Sequence, residues 1–156
     1  FDENDARATG RVSMGVKGMN LADGDSVIGM QVAEENGELL FVSEMGMGKK
    51  TAMSEFKDQN RGGKGIRCYR VNAKTGNLAG VKVYKEGYEL MLITTEGTVI
   101  RMKTDTIPVL GRDTSGVKLM QVDQENVKVS SIELIEESKE EEFAETSEET
   151  VDSEEV

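Results

Sequence analysis

Residues 59–65 read Gln-Asn-Arg-Gly-Gly-Lys-Gly, three glycines and two cations in seven positions. Glycine lets backbone N–H groups approach an anion with no Cβ in the way. Arg61 and Lys64 add charge, and Arg67 follows where the next strand should begin. Together with Gln59, Gly62, Gly63 and Gly65 they suit a phosphate-bearing partner. The same residues also suit a solvated turn. A second stretch, GMGKKT at 46–51, falls short of a nucleotide phosphate loop. That loop needs Gly, four residues, then Gly-Lys-Ser/Thr, and here Ser43 and Lys50 stand at the first glycine and hydroxyl positions. A hairpin presenting Lys49 and Lys50 to a polyanion is the better reading.

Other chemistry is scarce. The chain has no histidine, so no His-based acid–base pair or metal ligand is available. Its one cysteine, Cys68, can form neither an internal disulfide nor a Cys-rich zinc site, and reads as a core residue. No metal site is expected. Tyr69, Tyr84 and Tyr88 sit in or beside expected strands, and the nine methionines read as core gap-fillers.

The net charge of -11 would argue against a nucleic acid, but it is unevenly placed. Residues 133–156 hold 12 acidic residues and one lysine, which accounts for all of it. Residues 46–85 hold 10 cations against two anions, Glu55 and Asp58. A basic middle and an acidic end point to a polyanion partner and an acidic appendage. No apolar run is long enough to span a membrane and no signal peptide is visible, so no membrane partner is expected. The chain opens at Phe1 without a methionine and reads as a piece of a longer protein.

The elements that must position these cations repeat. RVSMGVKGMNL (11–21), RGGKGIRCYRV (61–71) and RDTSGVKLMQV (112–122) share one pattern at offsets of 50 and 51 residues. ELLFVSEMG (38–46) and ELMLITTEG (89–97) share the 51-residue offset. Arg11, Arg61 and Arg112 therefore occupy one repeat position, and Lys17, Arg67 and Lys118 another. For Arg112, beside Asp113, an ion pair between units is the slightly favoured reading. A period near 50 points to a propeller-like architecture. Strands are expected near 38–43, 49–54, 65–70 and 78–84, then 89–94, 99–103, 117–122 and 127–133. Glycine turns should close the two leading hairpins. With 17 glycines, one proline and no tryptophan, the fold is expected to be all-β with an aliphatic core. The units are 1–37, which enters midway and is incomplete, 38–88 and 89–135. Residues 136–156 bury too little to order and are expected to be a disordered acidic tail.

GRVSMGVKGMNLADGDSVIGM, GMGKKTAMSEF and GRDTSGVKLMQV together resemble the C-terminal domain of the DNA gyrase A subunit, over nearly all of 1–132. The resemblance implies a β-pinwheel, a ring of four-stranded blades that exchange strands with their neighbours, whose basic rim bends and wraps double-stranded DNA. QNRGGKG resembles the family's glycine-rich box, with Asn60 standing where a cation is usual. The box normally lies in the first blade, and here it falls in what reads as the penultimate one. The expected DNA-binding set is Arg11, Lys17, Lys49, Lys50, Gln59, Arg61, Gly62, Gly63, Lys64, Gly65, Arg67 and Lys118. The resemblance places the strand-cleaving tyrosine in another domain, so this region is expected to be non-catalytic. It implies ATP on the partner B subunit, Mg on the cleavage core, an A2B2 parent and a bacterial cytoplasmic location near the nucleoid. It implies negative supercoiling as the parent's activity. Topoisomerase IV carries a related domain, and a propeller-like scaffold for protein partners is the other competing reading. An apolar rim would favour the scaffold, and the run of ten cations does not.

Overall fold

The apolar runs LLFV and LMLI become the central strands of two sheets. A computed structural model describes residues 1–122 and 126–137, and within them seven strands form. These are β1 (Glu38–Ser43), β2 (Met47–Ala52), β3 (Leu78–Val83), β4 (Tyr88–Thr94), β5 (Val99–Lys103), β6 (Val117–Lys118) and β7 (Val129–Glu136). One sheet has the order β3-β1-β2-β6 and the other β5-β4-β7. All ladders are antiparallel.

The repeat is carried down to individual pairs. Leu40 faces Lys50 across β1 and β2, and Met91 faces Arg101 across β4 and β5. The register shifts at Val42/Ser43 in one sheet and at Ile93/Thr94 in the other, equivalent places in the repeat. Both hairpins turn on a glycine at positive φ, Gly46 (φ 76°) and Gly97 (φ 84°), as expected from SEMGMG and TTEG. Leu40, Val42, Leu90, Leu92, Ile107, Met120, Val129 and Ile132 form one buried core spanning the two sheets. The two sheets meet where β3 packs on β7. A Cβ on Gly80 would stand 2.6 Å from Cγ1 of Ile132.

Strand β6 belongs to the last unit yet pairs with β2 of the unit before it. This exchange explains where the expected strands differ. Residues 65–70 form no strand. Their contacts with the next unit are isolated bonds, such as Arg70 N–H to Thr114, and these do not make a ladder. Residues 1–37 likewise contribute no strand, only a 3-10 turn at Glu3–Asp5, and Val12, Met14, Met30 and Val32 stand exposed. The second strand starts two residues earlier than expected, at Met47. The 117–122 strand shrinks to Val117–Lys118, after which Leu119 and Met120 donate to the Gly46 carbonyl. At the other end β7 runs to Glu136, and the Glu137 N–H donates to Gly87. The ordered chain thus passes the expected boundary at 136. The remainder of the acidic segment, 138–156, lies outside the described residues.

Candidate nucleic-acid interface

The glycine hairpin at 46–48 is a seat for another strand. A Cβ on Gly48 would lie 2.9 Å from the Phe41 carbonyl and would strike the Leu119 side chain. A Cβ on Gly116, at φ 74°, would overlap the Gly48 carbonyl. These glycines admit the exchanged strand. Beyond them, Lys50 N–H donates to Pro108 and Leu110 N–H donates to Lys50, extending the seam into the next unit.

Lys49 and Lys50 do not face solvent, which corrects their assignment as DNA contacts. Lys49 is 0% exposed. Its Nζ donates to the carbonyls of Gly111 (2.8 Å) and Arg112 (2.7 Å) and lies over the rings of Phe41 and Tyr69. Burial holds its pKa below the usual lysine value. Lys50, also buried, pairs with Glu38 at 3.7 Å and sits 4.0 Å from the Tyr84 ring centroid. The reason is the exchange itself. Once β2 has neighbours on both sides and the next unit's turn across one face, both of its faces are covered. The Lys49 side chain fastens that turn, while Lys50 meets it through its backbone and keeps its side chain on Glu38 and Tyr84 of its own unit.

The QNRGGKG turn is on the surface. Gln59 and residues 63–67 are exposed, and Arg61 and Gly62 are half-buried. Gly62 (φ 77°) and Gly65 (φ 74°) adopt a backbone that other residues rarely take. Gly62 N–H donates to Gly18 and Asn20 N–H donates to Gly63, so the turn lies against the equivalent stretch of the first unit. Arg61 faces inward. Its Nη1 donates to the Lys17 carbonyl at 2.7 Å and its Nε to Asp5 at 3.0 Å.

The same stretches meet one unit later. Arg70 N–H donates to Thr114, and the Ser115 hydroxyl donates back to Arg70. Arg112 Nη1 donates to the Arg67 carbonyl, and its own N–H donates to Glu55 at 2.6 Å. Arg112 therefore joins the units through backbone, not through the ion pair expected with a carboxylate. Asp113 instead pairs with Arg70 at 3.3 Å and Arg67 at 3.5 Å, and those contacts, the Arg70 hydrogen bond foremost, lower its pKa.

Segments 17–20, 61–70 and 112–118 thus lie side by side. The side chains of Arg11, Lys17, Lys64 and Lys118 are exposed and have no protein partner among the described residues. Lys17, Lys64 and Lys118, which lie on these segments, form the open part of a basic face, with Arg67 and Arg70 lightly held beside them. Arg70 and Asp113 were outside the expected set because neither occupies a recurring cationic position. Cys68 is half-buried, and burial raises its thiol pKa. The Tyr69 hydroxyl donates to the Ser115 carbonyl, and Tyr84 and Tyr88 donate to Asp105 and Glu136. All three tyrosines make contacts within the fold. No group of His, Cys, Asp and Glu among the described residues could hold a metal ion. No helix among them is long and apolar enough to cross a membrane.

Residues 1–34, 37–85 and 88–136 each match the family model described as DNA gyrase C-terminal domain, beta-propeller. The chain belongs to this family. Within the DNA gyrase C-terminal domain family, it is 43% identical over 133 residues to the DNA gyrase A subunit of Ureaplasma parvum, covering 85% of this chain and 16% of that one. It is 35% identical over 152 residues to that of Staphylococcus aureus, covering 96% and 17%. The chain therefore spans about a sixth of these relatives' length. A solved DNA gyrase A C-terminal domain superposes with a TM-score of 0.77 at 29% identity, over 85% of this chain and 45% of that one. The C-terminal domain of a DNA topoisomerase IV gives 0.78 at 25% identity, over 96% and 47%. The all-β architecture with its exchanged strand is the one this family membership implies.

Proposed function

We propose that this region is a DNA-binding and bending segment of a DNA gyrase A-type chain, holding duplex DNA by its phosphates as the parent enzyme introduces negative supercoils. The observation that carries this is the basic face, in which hydrogen bonds between units set equivalent segments side by side with Lys17, Lys64 and Lys118 open to solvent. A duplex crossing that face would meet one cation set after another. Each neutralised phosphate releases counterions, and such contacts bend DNA with little reading of base sequence. In this reading the parent is an A2B2 assembly in the bacterial cytoplasm, with Mg at the cleavage core and ATP on the B subunit. This region contributes no reacting group and holds a DNA path. Fold alone does not separate gyrase from topoisomerase IV, since the two TM-scores are nearly equal. The identities of 35% and 43% to gyrase A subunits favour gyrase.

The test is a titration of random-sequence duplexes over a range of salt. Affinity should fall steeply and linearly on logarithmic axes, with little change between sequences. Binding that ignores salt, or that prefers one sequence strongly, would overturn the proposal.

A further inference from the structure

Arg61 and Arg112 stand at one repeat position, and each uses its guanidinium on the carbonyl of the residue at the second recurring cationic position of the preceding unit. Arg61 Nη1 donates to Lys17 and Arg112 Nη1 donates to Arg67. Lys17 and Arg67 are themselves repeat equivalents. The same donor, acceptor and direction thus occur twice, between different pairs of units. Arg61 adds a second arm to the Asp5 carbonyl, a two-point hold that the planar guanidinium makes and an ammonium does not. Nearby backbone hydrogen bonds join the same segments, Gly62 to Gly18 and Asn20 to Gly63. The Lys17 carbonyl is therefore held by Arg61, and its neighbours Gly18 and Asn20 by the turn, while the Lys17 side chain stays exposed with no partner among the described residues.

Resting on the DNA-binding reading above, we propose that Arg61 and Arg112 are positioning residues that hold the backbone of Lys17 and Arg67 so that those side chains, one unit back, face the DNA phosphates. Recurrence of arginine in this sequence then marks the joint between units, and the phosphate contact is made by the cation that the joint supports. The Arg61 charge still strengthens the local field, but its hydrogen bonds face the protein. The contacts along the face are set by the order of the units. Each unit's arginine completes the contact of the unit before it.

A double-mutant cycle read on the salt dependence of duplex binding tests this. Lys17→Ala should lower the slope of log affinity against log salt by about one. Arg61→Lys keeps the charge yet loses the two-point hold, and should lower the slope by a similar amount. The double variant should show no more than the loss of either single variant. A wild-type slope in Arg61→Lys, or losses that add to about two, would overturn the inference and make Arg61 a phosphate contact or a bystander. Amide exchange at Gly62 and Asn20 reports whether the joint has held. If that protection is lost in Arg61→Lys, the same cycle on Arg112→Lys and Arg67→Ala decides the matter by the same criterion. Failure of the underlying reading looks different: wild-type binding would then show no salt slope at all.

Discussion

Lys82 Nζ lies 2.8 Å from both carboxylate oxygens of Glu133, and the two residues are 51 positions apart, at the same place in successive repeats. They join β3 to β7, where the two sheets meet. Gln31 stands at the corresponding place in the first unit, and its Oε1 accepts from the Val83 N–H at 3.3 Å. A neutral, a positive and a negative residue therefore follow one another along one column. Like charges at this place in neighbouring units would repel, so the alternation helps to specify which unit sits beside which. Glu133→Lys should destabilise the fold by about 1 kcal/mol, and the reversed pair Lys82→Glu with Glu133→Lys should recover most of it. Urea unfolding of the three variants checks this. Equal stability in the single and reversed variants would contradict it.

The same pair predicts a pH dependence. The Lys82 hydrogen bond is the main cause holding the Glu133 carboxyl below its usual 4.5. A depressed carboxylate stabilises the fold fully above the unfolded value, and that contribution is lost as pH falls through the folded value. The stability gap between wild type and Glu133→Gln should thus be constant near neutrality and close below pH 4.5. The side chain is more than half exposed, so the gap itself should be well under 1 kcal/mol and shrink in high salt. Unfolding free energies measured across that window at low salt test the sign, and a gap that widens on acidification would refute it.

Lys49 and Lys64 should respond in opposite ways. Lys49→Met leaves the Gly111 and Arg112 carbonyls without their buried donor. It should cost about 2 to 3 kcal/mol, with the salt slope of DNA binding unchanged. Lys64→Ala removes an exposed side chain with no protein partner among the described residues. Its stability should move by about 0.5 kcal/mol or less while the slope falls by about one. Thermal melts and duplex titrations on both variants separate the two roles. A slope change in Lys49→Met without unfolding would return that lysine to the DNA face.

How far the sequence reveals this molecule follows from what each signal depends on. The central strands are legible because LLFV and LMLI are continuous apolar runs, and the hairpins because Gly46 and Gly97 mark their turns. The 50-residue period is legible because two blocks share it. The strand expected at 65–70 does not form, although its own residues suit one, because a strand also needs a neighbour. That neighbour comes from another unit by exchange. The lysines at 49 and 50 mislead for a related reason. Charge normally signals exposure, and only the incoming turn at 110–112, some 60 residues away, supplies the carbonyls that let Lys49 be buried. Among the cations, position in the repeat picks out Lys17, Arg67 and Lys118 but passes over Lys64 and Arg70. It groups Arg61 with Arg112 but does not show that both grip backbone.

The exchange at Gly48 gives the sharpest test of the architecture. Glycine is required there by space, since the Phe41 carbonyl would stand 2.9 Å from an added Cβ and Leu119 would be displaced. Leu119 is part of the segment that leaves β6, and its N–H donates to Gly46 at 2.8 Å. Gly48→Ala should therefore push the exchanged strand off β2, at a cost of about 3 kcal/mol. Gly10→Ala is the control, because nothing lies within 4 Å of its Cβ position and its φ is not positive. That substitution should change stability by about 0.5 kcal/mol or less. Hydrogen exchange locates the damage. In Gly48→Ala the amides of Leu119 and Lys50, which bridge the units, should lose protection first, while amides of the β4–β7 ladder retain theirs. Lys118 rides on the same strand, so the salt slope of duplex binding should fall by about one in step with that local opening. Protection at Leu119 equal to wild type, with unchanged stability, would mean that the strand does not seat on Gly48.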